Sequence, residues 1–144
     1  MRQVKIRVLR LKKNIPLPYK ATSDAVGFDL YAAESKAIKA HSFGVIGTGI
    51  AIELPSGIEA QVRPRSGLAF HHGIGVLNSP GTIDPDYRGE IKVILFNISD
   101  KDFTVRQGER IAQIVFSRIV SVKFEESKTL SKTKRGERGF GHTG

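Results

Sequence analysis

Short runs of alternating apolar and polar residues, separated by turn-forming residues, constrain this chain more than any other feature of its sequence. Val4, Ile6 and Val8 alternate with Lys5 and Arg7, which predicts a strand with one apolar and one charged face. Similar short segments follow at residues 43–46, 48–54, 58–63, 90–96, 103–105 and 110–116. The spacing predicts an all-β protein.

Turn formers divide these segments. Pro, Gly, Asn and Asp are concentrated at residues 54–57, 78–81, 84–87 and 107–108, which is typical of a sandwich, barrel or jelly roll. Only residues 66–72 favour a helix, and it is a short one. Ser66 is its predicted N-cap, and Gly73 or Gly75 is predicted to end it.

Length and composition indicate one intracellular domain. The 144 residues suffice for a single core, and the lack of Cys excludes disulfides and thiolate metal sites. We find neither an apolar run of the roughly 20 residues that a membrane helix needs nor the apolar block of a secretory signal. We therefore expect a soluble, cytoplasmic protein.

The net charge of +9 suggests nucleic-acid binding until it is located along the chain. Residues 1–20 contain seven basic and no acidic side chains, residues 21–122 contain ten and eleven, and residues 123–144 contain six and three. The charge thus belongs to the two ends, which disfavours a continuous basic face. A transit peptide is disfavoured too, because the N-terminus shows strand alternation and lacks Ser.

The chain is predicted to end in a mobile tail, residues 125–144, that follows a β-rich body, residues 1–124. The last ten residues contain two Arg, four Gly and one Phe. Arg binds phosphate in a bidentate manner, Gly lets the backbone approach it, and Phe can stack on a base. Taken alone, the segment fits a disordered tail better.

Five polar residues in the body have both a structural and a functional interpretation. Arg65 and Ser66 stand where a strand ends and a helix begins, so they either bind an anion or cap a turn. Asp84 lies beside a tight turn, as a general base or as part of an Asx-turn. Asp29 and Gln113 interrupt apolar stretches, and side chains of this kind usually face solvent from a strand.

Taken together, these segments resemble the five motifs of the trimeric dUTPase family, in order, over residues 21–144. The resemblance implies a jelly-roll-like β-barrel and a homotrimer whose active sites are shared between subunits. It also implies Mg²⁺-dependent hydrolysis of dUTP to dUMP and pyrophosphate. That reaction limits uracil incorporation into DNA and supplies dUMP for dTMP synthesis.

The resemblance also implies a role for each matching residue. Asp84 corresponds to the general base, and Asp29 to a residue that supports Mg²⁺ through water. The substrate-binding positions are Asn78 and Gly81 for uracil, Tyr87 for deoxyribose, Arg65, Ser66, Gly67 and Gln113 for the phosphates, and Arg135, Phe140 and Gly141 in a lid formed by the tail.

Three positions depart from the commoner choices of the family. Phe28 replaces a frequent Tyr or Leu, Gly47 a frequent Pro, and Arg138 a frequent Gly of the lid. None of the three is a catalytic position. Arg138 can add phosphate attraction or constrain the lid.

The histidines are assigned no catalytic role. Adjacent residues of a helix point to different sides, so His71 and His72 are interpreted as surface or interface residues. His41 is predicted to have no partner, and His142 belongs to the lid.

Two rival functions are weaker. A dCTP deaminase, or a bifunctional deaminase-dUTPase, needs a Glu beside the base, and Glu90 is the only nearby candidate. A non-catalytic nucleotide- or nucleic-acid-binding protein of this fold is disfavoured because every presumed catalytic residue is present. No stable nucleic-acid complex and no membrane association are expected.

Overall fold

Ten strands and one helix are found in the computed structural model, which describes residues 2–141. In chain order they are β1 Arg7–Arg10, β2 Phe28–Tyr31, β3 Lys36–Ile38, β4 Ser42–Glu53, β5 Ile58–Arg63, α1 Ser66–His72, β6 Ile74–Val76, β7 Gly81–Ile83, β8 Glu90–Asn97, β9 Phe103–Val105 and β10 Arg110–Arg118.

The strands form two four-stranded sheets, ordered β1-β4-β8-β6 and β2-β10-β5-β7, and a two-stranded ribbon of β3 and β9. Every pair is antiparallel. The predicted all-β fold with one short helix is confirmed. Hydrogen bonds do not close the described strands into a single barrel. Within residues 2–141, no helix has the length and apolarity required to cross a membrane.

A single apolar core fills the space between the sheets. Strand β5 shows how the alternation creates it, since Ile58, Ala60 and Val62 are buried while Glu59 and Gln61 are partly exposed. Strand β8 buries Ile91, Val93 and Leu95 in the same way. Strand β10, which pairs with β2 and β5, buries Ile111, Ala112, Ile114 and Val115 and leaves both of its ends exposed or partly exposed.

Two predicted strand boundaries were wrong. The segments 43–46 and 48–54 form one strand, β4, whose register with β8 shifts between Gly47 and Ala51. Strand β1 begins at Arg7 and not at Val4, because Arg7 pairs with Glu53, the last residue of β4. Residues 2–6 pair with no strand in the part of the chain that the structure describes. Strands β2, β3, β6 and β7, of three or four residues each, were not predicted as strands.

Helix α1 has the predicted bounds but not the predicted start. Arg65, and not Ser66, takes the N-cap position, and no side chain caps the helix. Gly73 ends the helix as predicted, with a left-handed φ of 66° that suits glycine. No residue of α1 is fully buried, and Phe70 is 86% exposed.

Asn97 connects the end of β8 to two neighbouring segments. Its side chain is buried at 1% exposure, and Nδ2 donates to the carbonyls of Ile38 and Lys101 at 3.1 and 2.7 Å. Its Oδ1 accepts from the backbone N–H of Ser99 at 2.9 Å. The buried amide thus holds the β3–β9 ribbon against the sheet.

We expect Asn97→Ala to lower the free energy of unfolding by about 2–4 kcal/mol, because buried carbonyls lose their donors and a cavity forms. Urea unfolding at fixed protein concentration measures the change. The control is Thr104→Ala, at the exposed position of β9, which should shift the free energy of unfolding by less than about 0.5 kcal/mol. Equal unfolding midpoints for the two variants would refute the structural role of Asn97.

Candidate active site

A pocket of about 190 Å³ lies beside β7 and the start of β8. The buried side chains of Val62 and Ile91 form part of its wall. The pocket brings together four residues that the sequence selected, namely Asn78, Gly81, Asp84 and Tyr87.

Asp84 lines this pocket, and its carboxylate is not needed to hold the local structure. The turn that follows it is closed by the backbone, with the N–H of Tyr87 donating to the carbonyl of Asp84 at 3.1 Å. The carboxylate makes no hydrogen bond to any residue that the structure describes, and Asp84 is exposed. The Asx-turn interpretation is therefore wrong, and the carboxylate is available to accept a proton from water.

The hydroxyl end of the Tyr87 ring is held in place by two contacts. Its hydroxyl donates to the carbonyl of Glu90 at 2.9 Å. The ring also lies against Gly89, where a Cβ would come within 2.4 Å of the hydroxyl oxygen. The absence of a side chain at position 89 thus leaves room for the tyrosine, which forms part of the pocket wall.

Asn78 lies close to the backbone of β7. A Cβ added to Gly81 would be 3.3 Å from Nδ2 of Asn78 and 3.3 Å from Cβ of Val62. The absence of a side chain at Gly81 thus allows the amide and the strand backbone to approach each other. Both present donors and acceptors of the kind that recognise the edge of a base.

A second group of functional residues surrounds Asp29 on β2. Its side chain is 17% exposed and lies between two guanidinium groups, with Oδ1 3.7 Å from Nε of Arg65 and Oδ2 3.6 Å from Nη1 of Arg110. Nη1 of Arg65 also donates to the carbonyl of Arg110 at 3.1 Å. The interpretation of Asp29 as a solvent-facing residue is wrong. Two positive charges and one negative charge leave the group attractive to anions.

Gln113 joins this group through the register of the sheet. It is the partner of Asp29 in the β2–β10 pair, and its Nε2 donates to the carbonyl of Pro64 at 3.0 Å. Gly27 provides the room, since a Cβ there would be 2.1 Å from Oε1 of Gln113. Gln113 is therefore held against the segment that leads into α1 and does not simply face solvent.

Arg110 is the residue that sequence reasoning missed. It begins β10, three positions before Gln113, and its charge looks like that of any exposed strand end. Two features of the sequence could have identified it. Arg110 stands in the same short segment as Gln113, and the acidic residue Asp29 stands in an apolar stretch, where a carboxylate requires cationic partners if it is buried.

The other predicted site residues belong neither to the pocket nor to the group around Asp29. Ser66 and Gly67 are exposed at the start of α1. Arg135, Phe140 and Gly141 lie in a segment that follows β10 and contains neither helix nor strand, and Phe140 is fully exposed. His142 lies outside the described residues.

The pocket and the Asp29 group also remain separate within the chain. Gln113 and Asp29 occupy the partly exposed face of the sheet, whereas Val62, in the pocket wall, points to the core. No hydrogen bond or ion pair links the two groups between residues 2 and 141.

Two histidine assignments can be compared with the structure. His41 has a partner, contrary to the prediction, because its Nε2 lies 2.8 Å from Oδ1 of Asp100. His71 and His72 are exposed, and the ring of His72 packs 5.1 Å from that of Phe103.

Known proteins match nearly the whole chain. A family model described as dUTPase matches residues 13–144. The deoxyuridine 5'-triphosphate nucleotidohydrolase of Helicobacter hepaticus is 52% identical over 144 residues, which cover 100% of this chain and 91% of that protein. The protein of the same name from Hydrogenobaculum sp. is 53% identical over 142 residues, with 98% and 99% covered.

Solved structures support the fold. The Staphylococcus bacteriophage 80alpha dUTPase, solved with dUpNHpp, aligns with a TM-score of 0.91 at 24% identity and covers 99% of each chain. A mutant dUTPase from phage phi11 of S. aureus, whose structure reveals the coordination of a structural Mg(II) ion, aligns at 0.80 with 20% identity over 88% of this chain and 98% of the other. The predicted jelly-roll-like fold is confirmed.

We expect Asp29→Asn to lower the free energy of unfolding by about 0.5–2 kcal/mol, because the partly buried Arg65 and the exposed Arg110 lose their shared carboxylate. Urea unfolding measures the loss. Added pyrophosphate should restore part of it by binding between the two guanidinium groups. The control is Asp24→Asn, an exposed carboxylate without an ion pair in the described chain. A midpoint no lower than that of the control would show that the cluster does not need Asp29.

Proposed function

This chain belongs to the dUTPase family, and from that premise we propose that it hydrolyses dUTP to dUMP and pyrophosphate. The observation that supports the proposal best is the Asp84 carboxylate, which lies in a pocket beside Asn78 and Tyr87 and has no structural hydrogen bond in the described chain. Asp84 takes a proton from water as the water oxygen attacks the α-phosphorus. The bond from the α-phosphorus to the α,β-bridging oxygen breaks, and pyrophosphate leaves with that oxygen.

The pocket is proposed to select the nucleoside. The Asn78 amide and the backbone at Gly81 bind the uracil edge, since both lie at the pocket wall. Tyr87 packs against the deoxyribose. Because its hydroxyl is held by the Glu90 carbonyl and its ring packs against Gly89, the ring is proposed to leave no room for a 2′-hydroxyl.

The Asp29 group is proposed to hold the triphosphate. Arg65 and Arg110 offer two guanidinium groups, Gln113 an amide, and Ser66 and Gly67 the backbone and hydroxyl at the start of α1. This set includes Arg110, which the sequence alone did not select. The guanidinium groups neutralise charge on the β- and γ-phosphates of the leaving pyrophosphate.

The same group fits Mg²⁺ bound through the substrate. The Asp29 carboxylate lies 3.6 and 3.7 Å from its two cationic partners, longer than direct hydrogen bonds, so its lone pairs can also accept from an intervening water. Mg²⁺ gives up its water reluctantly, which suits a carboxylate that reaches it through water. When bound, the ion neutralises phosphate charge.

We propose a homotrimer whose active sites are shared between subunits. Three observations support it. First, the pocket, the Asp29 group and the tail do not come together within the described part of one chain. Second, α1 exposes the apolar side chain of Phe70. Third, an apolar groove of about 660 Å³ opens beside Phe28 and Phe116. Residues 1–124 form the body of each subunit and residues 125–144 a lid. The cytoplasmic location stays a prediction from composition.

The rival functions have less support. The Glu90 carboxylate accepts a hydrogen bond from the backbone N–H of Gly49 at 3.2 Å, so it is already used to hold β4 against β8. A deaminase would need that group for proton transfer. A non-catalytic binding protein would not release pyrophosphate from dUTP, so measuring pyrophosphate release distinguishes it from an enzyme.

We expect the wild type to release pyrophosphate from dUTP, faster with Mg²⁺ than without. Asp84→Asn should bind dUTP almost as well but turn it over at least roughly 10²-fold more slowly, because the water loses its base. The control is Asp86→Asn, which removes a carboxylate from the same turn outside the pocket lining and should stay within about twofold of the wild type. A near-normal kcat for Asp84→Asn would remove Asp84 from the mechanism.

The dUTP-to-UTP ratio of kcat/KM should be high in the wild type and fall by about tenfold or more in Tyr87→Ala, because the wall against the 2′-hydroxyl is gone. Tyr87→Phe keeps the ring and should keep most of the ratio. If the ratio is the same in wild type and Tyr87→Ala, the sugar is recognised elsewhere.

A further inference from the structure

The tail contains a turn closed entirely by its own residues. The backbone N–H of Arg138 donates to the carbonyl of Arg135 at 3.3 Å, and that of Gly136 to Oγ1 of Thr133 at 3.0 Å. Gly136 has a left-handed φ of 57°, which its lack of a side chain permits. This turn, residues 133–138, lies just before Phe140 and is exposed throughout.

The two arginines of the turn reinforce it reciprocally. Nε of Arg135 donates to the carbonyl of Arg138 at 2.8 Å, and Nε of Arg138 donates to the carbonyl of Arg135 at 3.0 Å. Arg138 makes a further bond, from Nη2 to the carbonyl of Lys134. Its side chain therefore spans the turn and holds two of its carbonyls.

The two arginines differ in how many guanidinium nitrogens they bond within the turn. The turn occupies only the Nε–H of Arg135, so the terminal nitrogens of that guanidinium can still bind a phosphate in a bidentate manner. Arg138 uses both Nε and Nη2 within the turn. The geometry assigns phosphate contact to Arg135 and support of the turn to Arg138.

We propose that Arg138 is a positioning residue of the lid, which preforms the turn that presents Arg135 to the triphosphate. The proposal rests on the proposed function, in which the tail closes over dUTP. A lid that closes from a disordered chain loses backbone entropy at every residue it orders. A turn that already exists in the free tail has less to lose, so closure is more favourable.

Steady-state kinetics of the full-length enzyme on dUTP test this with Arg138→Lys and Arg138→Gly. Lysine keeps the charge but not the forked donors, and glycine keeps neither. Both should raise KM by about threefold to tenfold, the size expected for one or two exposed hydrogen bonds, with kcat within about twofold. Lys132→Ala removes one tail charge outside these bonds and should leave both constants within about twofold of the wild type.

A fluorescent reporter separates failure of the turn from failure of the lid. The chain has no Trp, so Phe140→Trp introduces a single indole at the proposed stacking position. Titration with dUpNHpp should change its emission, with the Arg138 variants needing about threefold to tenfold more ligand for the same final amplitude.

Three results would overturn these assignments. No emission change in Phe140→Trp with an intact Arg138 would defeat lid closure, and with it this part of the proposed function. Wild-type KM in Arg138→Lys with a raised KM in Arg138→Gly would make Arg138 a direct charge contact. Wild-type constants in both variants would show that the turn contributes nothing.

Discussion

The pairing of β10 with β2 on one side and β5 on the other is the constraint on which the phosphate end of the site depends. It places Gln113 beside Asp29, and it ends β5 where Pro64 and Arg65 can reach them. The Asp29 carboxylate then fixes two guanidinium groups that would otherwise repel each other. A shift of β10 by one residue would turn Gln113 toward the core, so Gln113 would no longer lie beside Asp29 and Pro64.

The division of the site between separate groups follows from the same sheet. Because successive side chains of a strand alternate, β5 directs Glu59, Gln61 and Arg63 to one face and core residues to the other, and Gln113 of β10 lies opposite Arg63. The pocket with Asp84 forms beyond the edge strand β7, and the described part of the tail, up to residue 141, follows the last strand and is almost entirely exposed. The proposed base, the proposed phosphate cluster and the proposed lid therefore do not come together within the described part of one chain. A symmetric assembly can bring them together, since each copy lends what its neighbour lacks.

Sequence reasoning predicted the repeating β-pattern and the helix bounds, and it selected the polar residues that the fold gathers around Asp29, except Arg110. Periodicity works where a strand has one buried face, as in β5 and β8. It did not identify β2, β3, β6 or β7, which have three or four residues each and, as β2 and β6 show, need not alternate between buried and exposed positions. It also could not decide the roles of Asp29 and Asp84, since these depend on partners brought in by the fold: two arginines in one case, and a turn closed by its own backbone in the other.

The claim that one copy completes the site of another has a direct test in mixed trimers. A chain that lacks residues 131–144 is co-expressed with full-length Asp84→Asn, and assemblies that contain both are isolated through two different affinity tags. Neither parent should hydrolyse dUTP at an appreciable rate. A tail that acts on a neighbour gives each mixed trimer one site with both an intact Asp84 and a lid, and hence roughly a third of the wild-type rate. Mixed trimers as inactive as their parents, or a fully active monomer by light scattering, would contradict the account.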